Sequence, residues 1–582
     1  MVMGRLKVFF GYFKDNKRAF LSYSSLSFLV GFLELFGVAL TYPFILKLLS
    51  NDKTAGWQNS PVLIGCVIIL LFLVKNLVMI KYAALQSKFT KAVEAEVNSK
   101  FVNYFLASEY SKTSKISLAQ KENILGYLIP NVINNYVLRI LNLNVNFFIF
   151  TLISLFLLIK FPLATVFTTM FALILVTVQY KIFKPKLKSV SDKLSQASSK
   201  LRQRCNEVIL NIKGVKISNN EKFFFNNYKN ALENLYKNEQ QMLFYNIIPP
   251  YITEPFIIVL LFTLLIIIAM QNFSQPDKLV ASFALIVSAI FRLSPTISRI
   301  QVNLNGINSA LPLVDEFLDY CNKFDIRNVK PITEHEFQKF EHTIELKNIN
   351  FSYEDDKLAL KNVNLSIKKG EFIGIAGLSG AGKTTLADII AGLLKPQSGV
   401  ILIDGIPQTN PLKMGYIPQE FNLINGSIKE NVTFGAELQD DNKVIEALKN
   451  AKLYDFIKEN YPEGIQANPF VDSTGFSQGQ KQRLAIARAL YSEPDILIMD
   501  EATSSLDLKT EDELCIVLNS LKGNMTIIAI AHRLSTIKNA DKIVFIKNAE
   551  IIDIAAFDNL IKQNSDFKTL VELGTLDNSA DK

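Results

Sequence analysis

The sequence predicts a multi-domain protein in which an all-α membrane domain of six transmembrane helices with long cytoplasmic helical extensions precedes an α/β nucleotide-binding domain. Three observations lead to this fold class. Long, nearly uncharged apolar runs fill about the first 300 residues, and about the last 240 residues alternate as an ordinary α/β domain does. The stretch GLSGAGKTT at Gly377–Thr385 follows a strand-like run and opens a helical one. A chain of 582 residues is also long enough for several domains.

Six apolar runs have the length of a membrane-spanning helix, which needs about 20 residues. They lie at about 20–48, 62–83, 137–159, 161–183, 248–270 and 279–300. The opening run is longer than the core of a signal peptide and lacks a small-residue cleavage site. The third and fourth runs are so close that they form a tight hairpin at Lys160-Phe161-Pro162. We therefore assign residues 1–320 to the membrane domain, 321–341 to a polar linker and 342–582 to the nucleotide-binding domain.

Basic residues concentrate in two long loops, one between the second and third spans and one between the fourth and fifth. The opposite loops carry only Lys53 and Lys278. Because cytoplasmic loops carry the excess of lysine and arginine, the N-terminus, both long loops and the C-terminal domain are predicted to be cytoplasmic. Both loops have helical patterns, with elbows near Glu109–Ser117 and Gly214–Glu221. This distribution explains the net charge of +8, so no nucleic-acid partner is expected.

The stretch Gly377–Thr385 matches G-x-x-x-x-G-K-[ST], a loop whose backbone N–H groups surround nucleotide phosphates. The N-terminus of the following helix adds partial positive charge to such an anion site. In this geometry Lys383 reaches the β- and γ-phosphates and Thr384 ligates Mg²⁺. The four cysteines lie far apart, so neither a disulfide framework nor a zinc site is indicated.

A second candidate site is the apolar strand at 496–500, which ends in Asp500 and is followed by Glu501. Sheets of α/β domains place their ligand chemistry at the carboxyl ends of strands. We predict that Asp500 holds Mg²⁺, directly or through water. Glu501 is predicted to polarise the attacking water as a general base.

These motifs and their order resemble the ATP-binding cassette of ABC transporters over about residues 342–582. Tyr353 stands at the adenine-stacking position, Gln419 at the glutamine lid and His532 at the switch histidine. The resemblance implies catalytic roles for Glu501, His532 and Gln419, and Mg²⁺ ligation by Thr384, Gln419 and Asp500. It implies that ATP binds to Tyr353, Gly377, Leu378, Ser379, Gly380, Ala381, Gly382, Lys383, Thr384, Thr385, Ser477, Gly479, Gln480 and Asp507.

The signature motif, here Phe476-Ser-Gln-Gly-Gln480, completes the ATP site of the other cassette in this family. Since the chain has one cassette, the resemblance implies a homodimer with two equivalent ATP sites. The usual signature is Leu-Ser-Gly-Gly-Gln, and Phe476 and Gln478 depart from it. Ser477 and Gly479 are kept, so activity is expected to survive. The stretch 468–474 lacks the T-x-V-G-x-x-G pattern usual in exporters. In the family this loop contacts the membrane domain, so the sequence does not establish that contact for this chain.

Six spans fused ahead of one cassette resemble the exporter half of the family, and an inner-membrane location follows. No further module precedes the first span, which disfavours a peptide exporter with its own leader peptidase. ATP binding is expected to close two cassettes and turn the cavity outward, and hydrolysis to reset it.

Ionisable residues within spans are costly and usually face a cavity. The candidates for lining a substrate cavity are Lys75, Arg292, Arg299, Glu34 and Glu254. Clustered cations suit a substrate with a phosphate or pyrophosphate group. The alternative for Arg299, and the one favoured for Arg139, is that these side chains reach out to phospholipid headgroups.

Short stretches of the spans resemble bacterial lipid-linked oligosaccharide flippases, namely 32–36 with 42–45, 250–254, and 291–295 with 299–300. The resemblance implies an amphipathic glycolipid-like substrate and contact with membrane lipids. The alternatives are a lipid A or phospholipid flippase and a multidrug or small-peptide exporter. An ATP-binding regulatory membrane protein with little turnover is a further alternative, against which Lys383, Asp500, Glu501 and His532 argue.

Overall fold

The computed structural model of the protein describes residues 17–49, 61–271, 276–332, 336–353, 358–419, 421–469, 476–501, 508–530 and 533–579. The chain forms two compact units. The first contains Met1–Ser108 and Ile116–Ile332, and the second contains Glu109–Lys115 and Thr333–Lys582. A short segment from the N-terminal half of the sequence thus belongs to the second unit.

The N-terminal half of the described chain is helical. Its helices are α1 (Lys17–Ala39), α2 (Thr41–Leu49), α3 (Pro61–Ala107), α4 (Tyr110–Thr113), α5 (Leu118–Asn123), α6 (Ile129–Val132), α7 (Leu138–Lys160), α8 (Pro162–Leu210), α9 (Ile212–Ile217), α10 (Glu221–Gln271) and α11 (Pro276–Lys323). Two π-helical turns, Ile124–Leu128 and Ile133–Val137, connect α5, α6 and α7 into one continuous run. Pro130 lies between them and lacks a backbone N–H, so the regular bonding of an α-helix cannot continue through it.

Four helical stretches of the described residues are long and apolar enough to cross a membrane: Ser22–Leu49, Pro61–Ala107, Leu118–Lys160 and Leu279–Lys323. They contain or overlap four of the six predicted spans. The other two predicted spans, 161–183 and 248–270, fall almost entirely within α8 and α10. The 47 residues of α3 extend about 70 Å, roughly twice the thickness of a bilayer's hydrocarbon core. This helix therefore has the length to cross a membrane and continue well beyond it.

The turns between these helices lie where the sequence predicts them. Only Phe161 separates α7 from α8, which makes the tight hairpin. The first elbow runs from the end of α3 to α5, whose N-terminus is capped by Ser117. The second elbow comprises the end of α8, the short α9 and the start of α10 at Glu221.

Helices α8, α10 and α11 are joined by a closed ring of hydrogen bonds among three buried side chains. Gln301 Nε2 donates to Gln179 Oε1 at 2.8 Å, and Thr253 Oγ1 donates to Gln301 Oε1 at 2.8 Å. Gln179 Nε2 donates to Thr253 Oγ1 at 3.3 Å. Polar groups buried without partners are costly, so this ring fixes the relative rotation of the three helices.

The second unit is built on two sheets. Its strands are β1 (Thr343–Ser352), β2 (Leu358–Lys368), β3 (Phe372–Gly377), β4 (Ser398–Ile403), β5 (Ile406–Pro407), β6 (Met414–Ile417), β7 (Ile496–Asp500), β8 (Thr526–Ile530), β9 (Lys542–Lys547) and β10 (Glu550–Ala555). One sheet has the order β2-β1-β4-β5 and is antiparallel. The other has the order β10-β9-β3-β8-β7-β6 and is parallel except for β10.

The helices of the second unit follow the strands in an α/β arrangement. Besides α4 they are α12 (Lys383–Ile390), α13 (Ile428–Thr433), α14 (Asp441–Asn450), α15 (Tyr454–Asn460), α16 (Gln478–Tyr491), α17 (Leu508–Leu521), α18 (Leu534–Ile537), α19 (Phe557–Gln563) and α20 (Ser565–Ser579). The carboxyl ends of β3, β6, β7 and β8 lie at one edge of the parallel sheet. That edge is where an α/β sheet places its ligand site.

Candidate functional site

The phosphate loop follows β3, and its conformation requires glycine at particular positions. Gly382 has φ +106°, and a Cβ there would lie 2.5 Å from the carbonyl oxygen of Ala359. At Gly377 a Cβ would lie 2.2 Å from the carbonyl oxygen of Ile546. Only glycine fits both positions without moving the backbone. Gly382 is also the N-cap of α12, so the loop ends at a helix N-terminus that favours anions.

Lys383, the first residue of α12, is buried in this loop. Its Nζ donates to the carbonyl oxygens of Gly377 at 2.9 Å and Leu378 at 3.1 Å. Burial lowers the pKa of Lys383, while the nearby Glu501 and Asp500 act in the opposite direction. The ammonium group is thus held inside the loop, and its present partners are neutral carbonyls that a phosphate can replace.

A cleft of about 470 Å³ lies beside the phosphate loop. It is lined by Tyr353, Leu358, Ala359, Ser379, Gly380, Gly382, Lys383, Thr384, Thr385 and Glu501. The Tyr353 hydroxyl lies 3.2 Å from Thr385 Oγ1, and the Tyr353 ring packs edge-on against Phe351 at 5.0 Å. Tyr353 as a residue is 48% exposed, which leaves it accessible for stacking on a planar base.

Two carboxylates stand at the end of β7. Asp500 is buried, and the hydroxyl of Tyr416 donates to its Oδ2 at 3.2 Å. Burial raises the pKa of Asp500. Glu501 has φ +48°, an uncommon conformation for a residue other than glycine and one often found at functional sites. Gln419 Nε2 donates to Glu501 Oε2 at 2.9 Å, which brings the predicted lid and the predicted base together.

The donors at this edge of the sheet fit Mg²⁺, which prefers oxygen ligands. Asp500 offers a buried carboxylate whose second oxygen is free of the Tyr416 bond. Gln419 uses its amide nitrogen on Glu501, which leaves its amide oxygen for a metal. Thr384 is exposed at the start of α12. These three residues would hold the ion together with phosphate oxygens of the nucleotide.

Tyr416 and Asp388 also belong to this site, although the sequence analysis did not select them. Burial raises the pKa of Tyr416, as do Asp500 and Asp388 nearby. Burial, with the Asp500 carboxylate, raises the pKa of Asp388 to about 6. Tyr416 belongs to the same short motif as Gln419, and this proximity in the sequence could have identified it as a site residue. Nothing in the sequence around Asp388 indicates that it lies near Asp500.

Asp388→Asn is expected to stabilise the full-length protein at neutral pH in buffer without nucleotide and Mg²⁺. Because the folded state holds this proton more tightly than the unfolded state, the contribution of Asp388 to wild-type stability falls as pH rises through about 4 to 6. Asparagine is neutral throughout, so its advantage is largest above about pH 7 and shrinks as pH falls. Thermal unfolding of both proteins across this range measures it. A difference that does not vary with pH would contradict the assignment.

The predicted signature residues lie at the N-terminus of α16, away from the cleft that the phosphate loop lines. Ser477 Oγ accepts from the backbone N–H of Gln480, and Gln480 Oε1 accepts from the N–H of Ser477. This capping box uses the Ser477 oxygen as an acceptor, so the hydroxyl proton remains available for donation. Ser477, Gly479 and Gln480 are absent from the described residues that line the cleft. The cleft of one chain therefore lacks its predicted signature contacts.

The two departures from the usual signature have different structural roles. Phe476 is buried and packs edge-on against Tyr461 at 5.6 Å and Phe456 at 6.2 Å. The phenylalanine ring, which replaces the usual leucine, thus forms an aromatic cluster with Tyr461 and Phe456. Gln478 is exposed in the first turn of α16. Asp507, His532 and residues 470–474 of the preceding stretch lie outside the described residues.

The segment Glu109–Lys115, which contains α4, contacts the rest of the second unit close to the cleft. Lys115 Nζ donates to the carbonyl oxygen of Tyr353 at 3.3 Å, and Lys395 Nζ lies 2.8 Å from Glu109 Oε1. The Lys395 ammonium lowers the pKa of Glu109. The segment Glu109–Lys115 therefore reaches Tyr353, just beyond the end of β1. The sequence indicates where the elbow lies but not which residues it contacts.

In the first unit, three of the five cavity candidates meet. Lys75 Nζ lies 2.9 Å from Glu34 Oε1, and Arg292 Nε lies 3.5 Å from Glu34 Oε2. Arg299 and Glu254 are exposed and do not join this group. The side chain of Arg139 lies against Gly306, where a Cβ would be 3.0 Å from Arg139 Nε.

Residues 360–504 match the sequence model of the ABC transporter family. A bacterial Atm1-family ABC exporter solved with ATP bound has the same fold, with a TM-score of 0.76 at 19% identity, covering 96% of this chain and 98% of that chain.

Several curated relatives align with part of this chain. The heterocyst differentiation ATP-binding protein HepA of Nostoc sp. is 35% identical over 51% of this chain and 49% of its own length. The ATP-dependent lipid A-core flippase of Syntrophus aciditrophicus is 35% identical over 48% of this chain and 46% of its own length. A putative multidrug export ATP-binding/permease protein of Staphylococcus aureus is 39% identical over 40% and 41%. The chain spans about half the length of the relatives it matches.

Proposed function

We propose that this chain is an ABC exporter half-transporter that hydrolyses ATP to move an amphipathic anionic substrate across the inner membrane. One observation carries the proposal. The phosphate loop and Glu501, which follows β7, line one cleft. Gln419 contacts this Glu501, and the other unit of the chain contains helices of membrane-spanning length. The N-terminus and the ATPase domain are assigned to the cytoplasm.

The chain's own residues provide the steps of hydrolysis. The γ-phosphate displaces the loop carbonyls as partner of Lys383, whose ammonium then balances phosphate charge. Glu501 accepts a proton from the attacking water, and Gln419 holds the carboxylate that does so. Mg²⁺, held by Asp500, Thr384 and Gln419, would neutralise charge that develops on the phosphates. Tyr416 orients Asp500 through its hydroxyl.

We further propose that two copies of the chain form the working unit. Ser477 keeps a free hydroxyl proton at the N-terminus of α16, yet the signature residues do not line the cleft of their own chain. A second copy can bring its own α16 to this cleft, which would place a hydroxyl, a backbone N–H and a helix dipole at the γ-phosphate. A homodimer then has two complete ATP sites.

The proposed substrate is a lipid-linked oligosaccharide. Support comes from Glu34, Lys75 and Arg292, which together carry one net positive charge within predicted spans. A pyrophosphate between a lipid tail and a glycan is a suitable partner for such a charge. A lipid A or phospholipid flippase fits the same charge, and the similarity to a lipid A-core flippase favours it as the second candidate. A multidrug or peptide exporter is the remaining alternative.

The test is ATP-dependent transport in proteoliposomes containing the full-length chain. A fluorescent lipid-linked oligosaccharide pyrophosphate, a lipid A, a phospholipid and a neutral glycolipid are compared. We expect the pyrophosphate-linked glycolipid to move fastest, and Arg292→Ala to slow it by roughly tenfold, the loss of one charge-assisted contact. Lys75→Ala is expected to slow it as well, because it removes a cation from the same cluster. Equal transport of the neutral lipid, or unchanged rates in both variants, would exclude a charge-selecting cavity.

A further inference from the structure

Glu34 of α1, Lys75 of α3 and Arg292 of α11 form a cluster that we call the Glu34 triad. The side chains of Glu34 and Lys75 are each 11% exposed, and that of Arg292 is 35% exposed. Each residue lies near the middle of its predicted span, at 20–48, 62–83 and 279–300 respectively. The triad therefore joins three helices at a depth where charged groups are expensive.

The two contacts of the Glu34 carboxylate are unequal. The 2.9 Å contact from Lys75 to Oε1 is a hydrogen bond. The 3.5 Å contact from Arg292 to Oε2 is too long for a good one, and buried Oε2 has no hydrogen-bond partner among the described residues. The guanidinium carbon of Arg292 lies 4.7 Å from the centre of the Phe72 ring, which supports the group from one side. Lys75 thus fixes Glu34, while Arg292 is held more loosely.

The triad also has an unbalanced charge. It contains two cations and one carboxylate, and among the described residues no second carboxylate forms an ion pair with Lys75 or Arg292. One positive charge remains uncompensated at the middle of three apolar runs. A guanidinium that is a third exposed and loosely paired has N–H groups in the fork geometry that matches phosphate oxygens.

We propose that Arg292 exchanges partners during transport. In the substrate-free chain it is paired with Glu34, and a phosphate-bearing group of the transported amphiphile replaces Glu34 as its partner. Lys75 keeps Glu34 in position throughout. Arg292 is then the residue that contacts the substrate anion, and Glu34 is a built-in competitor that sets the affinity. This inference rests on the proposed transport of an anionic amphiphile.

The experiment measures equilibrium binding of farnesyl pyrophosphate, with farnesol as its neutral counterpart, to the full-length chain in phosphatidylcholine nanodiscs without ATP. Glu34→Gln keeps the shape of the side chain and removes the competing charge. We expect its dissociation constant for farnesyl pyrophosphate to fall about tenfold, and that for farnesol to stay unchanged. Glu207→Gln, which removes a carboxylate paired with Arg204 at 2.6 Å outside the spans, is the matched control.

A double-mutant cycle with Arg292→Gln separates exchange from general electrostatics. Arg292→Gln alone is expected to weaken binding of farnesyl pyrophosphate at least tenfold. In that background Glu34→Gln is expected to leave the dissociation constant unchanged, because the arginine for which Glu34 and the pyrophosphate compete is gone. An equal gain with and without Arg292, or no gain in Glu34→Gln alone, overturns the exchange. If Glu34→Gln does not fold, Glu34→Asp, which shortens the reach to Arg292, is expected to shift binding in the same direction by a smaller factor.

Further arms identify the source of the phosphate group and separate this inference from the transport proposal. If phosphatidylglycerol in the nanodisc by itself abolishes probe binding and is not itself transported in proteoliposomes, the occupant is a bilayer lipid and the inference is wrong. If an anionic lipid is transported but Glu34→Gln does not change binding, the exchange is wrong and the proposed function stands. If the binding shifts occur as expected but no ATP-driven transport is seen, the proposed function is wrong and the exchange stands. Absence of both binding and ATP-driven transport removes both.

Discussion

Glu501→Gln is expected to reduce ATP hydrolysis by roughly 10²- to 10⁴-fold while ATP binding persists, since a general base contributes about that much. Glutamine preserves the size of the side chain and can still bond to Gln419, whose Nε2 contacts Glu501 Oε2 in the wild type. The variant loses only the ability to accept the proton of the attacking water. Phosphate release by the purified protein and binding of a fluorescent ATP analogue measure the two effects separately.

The matched control is Glu493→Gln, which removes a carboxylate paired with Lys443 on the surface of the same domain. Its hydrolysis rate is expected to equal that of the wild type. If wild type and Glu501→Gln release phosphate at the same low rate, the chain is an ATP-binding regulator and the exporter proposal fails. A large loss of ATP binding in Glu501→Gln would mean that the carboxylate holds the loop in place.

Gly382→Ala is expected to weaken ATP binding by about tenfold or more. The residue has φ +106°, and the new Cβ would meet the Ala359 carbonyl oxygen at 2.5 Å and Leu360 Cδ2 at 2.9 Å. A strained backbone costs about 1–3 kcal/mol, and about 1.4 kcal/mol corresponds to tenfold in affinity. Because the strain falls on the loop that surrounds the phosphates, the affinity for ATP changes more than the stability of the domain.

Gly380→Ala separates conformation from steric conflict in the same loop. Gly380 has φ +77°, but no atom lies within 4 Å of an added Cβ. Its loss of affinity is therefore expected to be smaller than that of Gly382→Ala. Equal losses in both variants would show that backbone conformation alone determines the effect. Titration of the nucleotide against both variants, with thermal unfolding as the check on folding, distinguishes the outcomes.

Local patterns in the sequence were sufficient to predict much of this molecule. The fold class, the phosphate loop and the acid pair after β7 follow from glycine spacing, apolar runs and strand ends. The hairpin at Phe161 and both elbows follow from breaks in hydropathy and charge. These features depend on residues close together in the chain, so their physical causes can be recognised without knowing the packing.

Only the tertiary structure decided which distant residues meet. Arg292 and Lys75 appear in the sequence as two separate cations, and packing of three helices brings both to Glu34. The assignment of Glu109–Lys115 to the second unit likewise depends on contacts with residues more than 200 positions away. Asp388 of α12 lies close enough to Asp500 of β7 to be affected by its charge, although the two residues are far apart in the chain. Such contacts result from the burial of apolar surface elsewhere, and no local periodicity encodes them.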